Sequence, residues 1–384
     1  MKAWPKASLG EIAPIVRRSV EISHDQTYPE LGIRSFGRGT FHKPALSGAD
    51  VGSKRLFRIE PGDLVFSNVF AWEGAIAVAS PADMGRFGSH RFITCVVDDK
   101  RANATYLKLY LTASQEGRAQ VVQASPGGAG RNRTLGVEKM GQIQVPLPPL
   151  AEQQALVTRL DALAEKTRHV EAHLDAVERD AEHLLALRFR DAIADAPLRP
   201  MAEVAPLVRR NVVIDPEKSY TELGVRSFYK GVFHRRTVPG SDFSWQDLYH
   251  VHSGDLMFSN IMAWEKAIAI ARPEDDGCVG NHRMLTCEAN ADIAVPGFLW
   301  YYFTTDEGFA KVYAASPGTA ARNRTMTAPS LMAIDVPVPP LAVQRAFARL
   351  QADISSLKAK HAAIRDANAA LLPATLERVF SGSN

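Results

Sequence analysis

The segment PGDLVFSNVFAWEGAIA places Asp63 ten residues before Glu73, two carboxylates at a spacing that a metal-dependent nuclease could use. Such a site would normally add a Lys two residues beyond the Glu. That position is Ala75, and it is Ala267 where the motif recurs as GDLMFSNIMAWEKAIA. The motif therefore reads as a Gly-Asp turn between strands, with Trp72 packing beneath it. The chain also lacks a GxxxxGK[ST] phosphate loop, a dinucleotide glycine fingerprint and an HExxH metal motif. No residue is assigned a catalytic, cofactor-binding or metal-ligating role.

The cations are more informative. Residues 1–149 hold 19 Lys and Arg against 13 Asp and Glu, gathered in RSFGRG, SKRLFR, SHRF and GRNRT. Arg and Lys bind phosphates, and Arg and Asn also reach base edges with two hydrogen bonds at once. The run GGAGRNRT suits DNA contact best, because its glycines permit close backbone approach and Arg131, Asn132, Arg133 and Thr134 offer hydrogen-bonding groups in a row. RSFGRGTFHK contributes Arg34, Ser35, Arg38 and Lys43, with Phe36 and Phe41 read as core residues. Lys54, Arg55 and Asn68 join the candidates, as do His90 and Arg91. For His90, hydrogen bonding at a DNA face and a satisfied buried histidine both stand open.

Most of these candidates occur twice. Against a shift of 192 positions, APIVRRSV falls on APLVRRNV, YPELGIRSF on YTELGVRSF, GDLVFSN on GDLMFSN and AWEGAIA on AWEKAIA. After a one-residue deletion, RNRT falls on RNRT and VPLPPLAEQ on VPVPPLAVQ. The second set of DNA candidates is therefore Arg226, Ser227, Lys230, Arg235, Asn260, Lys266, His282, Arg283, Arg322, Asn323, Arg324 and Thr325.

Each copy must position its candidates with a mixed region followed by a helix. Short apolar runs at residues 64–66 and 75–79, broken by Gly and Pro, predict strands, and residues 104–122 predict one helix. The successive prolines of VPLPPL end the mixed region. Beyond them, Leu156, Leu160, Leu163, Thr167, Val170, Leu174, Val177, Ala181 and Leu184 alternate in steps of four and three, as a coiled-coil seam requires. The second copy offers Phe347, Leu350, Ile354, Leu357, His361, Ile364, Asn368 and Leu371. About 40 residues at 1.5 Å each make a rod near 60 Å, and the simplest apolar partner for one rod is the other. Charge agrees: residues 150–197 hold 6 Lys and Arg against 10 Asp and Glu, whereas residues 341–384 hold 6 against 3. The expected division is 1–149, 150–197, 198–340 and 341–384.

The remaining composition excludes rather than assigns. A hydrophobic fraction of 46% is ordinary for a globular chain, and a formal charge of +3 does not by itself announce nucleic-acid binding. No window is long and apolar enough for a membrane span, and the first residues lack the apolar core of a secretory signal, so a cytoplasmic location is expected. Cys95, Cys278 and Cys287 show no metal-ligand spacing and read as small buried apolar residues.

Taken together, PGDLVFSN, GRNRT and VPLPPLAEQ, each in two copies ahead of a long helix, resemble the specificity subunits of type I restriction-modification systems over essentially the whole chain. The resemblance implies α+β target-recognition domains at 1–149 and 198–340, and long helices at 150–197 and 341–384 that pair as an antiparallel coiled coil. It also implies a bipartite double-stranded DNA target with one half read by each domain. Two adenine methyltransferase subunits would dock on the helices, and a translocating endonuclease subunit would join them. S-adenosylmethionine and ATP with magnesium would belong to those partners. One departure concerns docking: Glu152 is replaced by Val343, and the second helix lacks much of the first one's acidic character. The rival readings are a nuclease in its own right and a coiled-coil scaffold that binds protein.

Overall fold

A computed structural model describes residues 4–52, 54–128, 133–243, 247–318 and 324–381. The chain is α+β and divides into two units, one formed by residues 1–174 and 361–384 and the other by residues 175–360.

In the first unit, strands Ile15–Val16, Phe92–Cys95, Leu64–Ser67 and Ile76–Val78 form an antiparallel sheet in that order. Leu64–Ser67 is buried at all four positions, which explains its unbroken apolar run. A second sheet runs Thr40–Ser47, Thr27–Ile33, Phe87–Ser89 and Leu56–Arg58, with one parallel pairing at Glu30 and Phe87. The second unit repeats both arrangements. Its first sheet keeps Met284–Cys287, Leu256–Ser259 and Ile268–Ile270, and the outer strand shrinks to a bridge between Leu207 and Cys287. Its other sheet runs Val232–Pro239, Ser219–Val225, Val279–Asn281 and Leu248–His250. In both hairpins a glycine admits a cross-strand ring: a Cβ on Gly32 would lie 2.2 Å from the Phe41 ring, and one on Gly224 2.5 Å from Phe233.

The single helix expected over residues 104–122 is two helices, Ala104–Ala113 and Gln115–Gln123. Ser114 causes the break. Its extended backbone stops the first helix, and its hydroxyl accepts from Gly117 N at 2.9 Å to start the second. Gly117 is also required sterically, since a Cβ there would lie 2.2 Å from Tyr110 O. Thr305 makes the same break between Pro296–Thr304 and Asp306–Ala314.

The Pro-rich motifs lead into helices Leu150–Ile193 and Leu341–Ser381. A buried glutamine pins the start of each. Gln153 accepts from Asn103 N at 2.9 Å and donates to Arg101 O and Pro148 O at 3.0 and 2.8 Å. Gln344 repeats this with Val295 N, Ile293 O and Pro339 O. Glu152 and Val343, one residue earlier, point to the exterior.

Each unit also takes in the far end of the other long helix. In the first unit, Leu376 and Phe380 share a core with Leu160, Tyr106 and Tyr110, and Phe380 lies 5.5 and 5.4 Å from the two tyrosine rings. In the second unit Phe189 packs 4.8 Å from Phe298, 4.7 Å from Tyr301 and 5.1 Å from Phe347. There Phe347 meets Phe189 while Lys358 pairs with Glu182 at 2.6 Å, so numbering falls along one helix as it rises along the other. The pairing is antiparallel.

The seam departs from the expected register beyond its midpoint. Leu160, Leu174, Phe347, Ile354 and His361 are buried, but Val170, Leu184, Ile364 and Leu371 are exposed. Leu185 and Phe189 continue the first face, and Leu372, Leu376 and Phe380 continue the second. The steps from Leu174 to Leu185 and from His361 to Leu372 are each eleven residues. Eleven residues fit three turns of an unstrained helix more closely than a strict heptad does, so the buried face keeps its direction while the heptad pattern slips by one.

All three cysteines are buried and unpaired by disulfides, and burial pushes the Cys95 and Cys287 thiols up to about 12. Among the described residues no helix is long and apolar enough to cross a membrane.

Candidate nucleic-acid interface

The residues that organise the site are those just beyond the buried strand Leu64–Ser67. Here a short helical turn, Ala71–Glu73, ends at Gly74 with φ +77°, a conformation that glycine adopts without strain. This segment ties down three loops that lie far apart in sequence. Asn68 N donates to Arg91 O at 2.9 Å, which holds the His90–Arg91 turn. Asn68 O accepts from Leu135 N at 2.7 Å, directly after the GRNRT run. Phe36 N and Gly37 N donate to Glu73 O and Gly74 O, both at 2.8 Å, which holds the tip of the first hairpin.

The second unit repeats each bond. Asn260 N donates to Arg283 O at 2.8 Å, Met326 N to Asn260 O at 2.8 Å, Phe228 N to Glu265 O at 3.0 Å and Tyr229 N to Lys266 O at 2.9 Å. Lys266 stands where the first unit has Gly74 and keeps the left-handed backbone, φ +66°. Its ammonium lies 4.9 Å from the Phe309 ring and 5.8 Å from Tyr229, so aromatic faces hold the cation that replaces the glycine.

Two hydroxyls brace the clamp. Ser35 Oγ donates to Glu73 Oε2 at 3.0 Å, and Ser227 Oγ to Glu265 Oε2 at 2.7 Å. Both serines are half-buried, so they set the loop's shape as well as bordering its surface. Asn68 and Asn260 have side-chain Oδ1 atoms that are enclosed and have no hydrogen-bond partner among the described residues. Their backbones, not their amides, link the loops.

Cations surround the clamp. Arg34 and Arg38 are exposed; Arg34 donates to Thr40 O and lies over the Phe41 ring at 5.1 Å, and Arg38 lies over Phe36 at 5.5 Å. Arg226 lies over Phe233 at 5.0 Å, and Lys230 over Phe228 at 5.9 Å. Arg133 sits 5.9 Å from the Trp72 ring, while Arg324 sits 4.0 Å from Tyr313 and donates to Ser316 O at 3.0 Å. Thr134 and Thr325 are exposed beside them. Arg131, Asn132, Arg322 and Asn323 lie outside the described residues. His90, Arg91, His282 and Arg283 are exposed, so His90 and His282 are not buried core histidines.

Lys54 and Arg55 stand on the exposed approach to Leu56–Arg58, which pairs with Phe87–Ser89 immediately before His90. Half-buried Lys43 and exposed Arg235 occupy the hairpins. In the second unit Arg235, His282 and Arg283 line one cleft of about 730 Å³ together with Arg236 and Asn281. Buried Glu222 anchors that wall: Arg235 Nη1 reaches it at 3.2 Å, Arg236 Nε at 3.1 Å and Asn281 Nδ2 at 3.1 Å. Sequence reasoning missed Arg236 and Glu222; the tandem arginines of FHRRT were the available signal.

One expectation is overturned. Phe36 was read as core, yet it is 71% exposed, and Phe228 is 60% exposed. Both sit at hairpin tips with φ near +60°. A tip held outward in that conformation cannot fold its ring beneath its own sheet. Phe41 is half-buried against Gly32, in better accord with the expectation.

The acidic residues of the motif are engaged elsewhere. Asp63 accepts from Arg18 at 2.6 and 3.1 Å and from Glu60 N at 2.8 Å, and Asp255 is held by Arg210 and His252 N in the same way. Glu73 is taken by Ser35. Among the described residues no three His, Cys, Asp or Glu side chains cluster to hold a metal. A further acid, Asp83, fixes the hairpin through His42 at 2.9 Å and Thr40 at 2.9 Å. Burial opposes its charge, but bonds from Ser80, His42 and Thr40 prevail and hold its carboxyl below the usual range.

Residues 1–179 match the family described as the type I restriction modification DNA specificity domain. The fold resembles the crystal structure of the HsdS subunit from Thermoanaerobacter tengcongensis at a TM-score of 0.69 and 20% identity, over 100% of this chain and 98% of that one. A structure from work on complex assembly and conformational transition of the type I R-M system gives the same TM-score and identity, over 99% and 98%. No curated protein matches. Residues 1–179 are thus similar to the type I restriction-modification DNA specificity domain, and the second half of the sequence repeats much of that unit.

Proposed function

We propose that each unit reads one half of a bipartite double-stranded DNA target, through the loops gathered on residues 67–74 and 259–266. The observation that carries this reading is the repeated clamp, which brings the cation-bearing hairpin tip, the His-Arg turn and the residues after GRNRT together in both units. Arg38, Lys54, Arg55 and Arg91, with Lys230 and Arg283 in the second unit, would neutralise phosphates, while Arg131, Asn132 and Arg133, with Arg322, Asn323 and Arg324, would meet base edges. The domains would be 1–149 and 198–340.

The antiparallel helices are the docking surface for two adenine methyltransferase subunits, with a translocating endonuclease as a further partner. S-adenosylmethionine, ATP and magnesium belong to those partners, and the complex works in the cytoplasm. Duplication of one reading unit suggests halves related as an imperfect inverted repeat, since two-fold related protein surfaces on a duplex meet related sequences on opposite strands.

Replacing Arg131 and Arg133 with Ala in the full chain tests the reading. A lost bidentate base contact costs about 1–3 kcal/mol at one half-site, whereas a lost phosphate contact weakens all sequences alike and lowers the salt slope by about one. Wild-type affinity and slope in this variant would remove the loop from the interface.

A further inference from the structure

Phe36 and Phe228 are not explained by folding. Each holds an apolar ring in water, 71% and 60% exposed, on a left-handed backbone that a bulky side chain adopts only at a cost in strain. Glycine would relieve that strain, and the chain places glycine nearby at Gly37 and Gly39, yet both copies keep Phe at the tip. The clamp holds this conformation through Phe36 N to Glu73 O and Phe228 N to Glu265 O. A cation stands over each ring, Arg38 at 5.5 Å and Lys230 at 5.9 Å.

We propose that Phe36 and Phe228 are wedges that press between stacked bases, one in each half-site, while Arg38 and Lys230 meet the flanking phosphates. This inference rests on the DNA-reading function and adds a mode of recognition to it. A rigid apolar ring carried on a fixed tip can unstack a base step, and the cation beside it would offset the phosphate charge there. The energy needed to open the step depends on which bases form it, so the wedge would confer specificity without hydrogen bonds to base edges.

The test uses the full chain and duplexes bearing the motif methylated in the host genome, with a fluorescent adenine analogue placed at successive positions. Binding should brighten the analogue several-fold at one step in each half. Phe36→Gly should abolish that signal in one half only and weaken binding about tenfold, with the salt slope unchanged because no cation is lost. Glycine also relaxes the backbone, so the thermal midpoint should not fall, and Phe36→Leu should restore part of the signal. Salt-dependent DNA binding with no brightened step, or the same brightening in Phe36→Gly, overturns the wedge and leaves the DNA-reading function standing. Failure of the wild type to bind DNA overturns both. Loss of methyltransferase assembly in Phe36→Gly with DNA binding intact overturns the wedge in favour of a protein contact.

Discussion

The two units share a strand order and a loop clamp but differ in charge. Residues 1–149 hold 19 Lys and Arg against 13 Asp and Glu, whereas residues 198–340 hold 14 against 16. Lys43 has no ion pair among the described residues, while its counterpart Arg235, with Arg236, is drawn to Glu222. Lys54 and Arg55 become Gln246 and Asp247. The scaffold is therefore independent of the electrostatics it displays. The first unit presents cations suited to phosphates, and the second holds arginines on an acidic anchor at the wall of a cleft, a geometry suited to directional contacts.

The comparison breaks most sharply at the helix ends. Phe189→Ala and Phe380→Ala each remove an aromatic plug from one unit, and each should cost about 3–5 kcal/mol of stability. Phe189 packs against three rings and Phe380 against two, so Phe189→Ala should cost more, as read from denaturant midpoints. Equal small losses would mean that the helix ends are not integral to the units.

A smaller effect sharpens the electrostatic contrast. Lys43→Ala should lower the salt slope of DNA binding by about one, whereas Arg235→Ala should lower it less because Glu222 already offsets that charge. Glu222→Gln should release Arg235 and Arg236 and raise the slope. If the slope falls in Glu222→Gln, the anchor positions the arginines for binding and does not withhold them. The smallest effect concerns the clamp. Lys266→Gly relieves a left-handed non-glycine residue and should stabilise the chain by about 0.5–1 kcal/mol, and Gly74→Lys should destabilise it by a similar amount. Thermal midpoints that shift in the opposite directions would show that the Lys266 contacts with Phe309 and Tyr229 outweigh the strain.

The duplication, the two long helices and their exit motifs were legible because each is a pattern along the chain, read twice. The break at Ser114 was not, because a serine inside an apolar helical period looks like a solvated position until its hydroxyl is seen to cap Gly117. The seam was read correctly only to its midpoint, where an eleven-residue step replaces the heptad. The candidate cations were visible as residue types, but their assembly was not. The bonds that join Phe36 to Glu73, Asn68 to Arg91 and Leu135 to Asn68 run between backbone atoms, and any sequence could supply those atoms. Phe36 was misplaced for a related reason: burial is the sound default for phenylalanine, and the left-handed backbone that holds it outward leaves no mark on composition.

The most direct test of the account is modification-sensitive sequencing of the host genome with and without this chain. An adenine-methylated motif in two halves separated by an unread spacer is expected, with related bases when one half is reverse-complemented, and with loss of that methylation when the chain is deleted. A continuous motif, or methylation that persists after deletion, would contradict it.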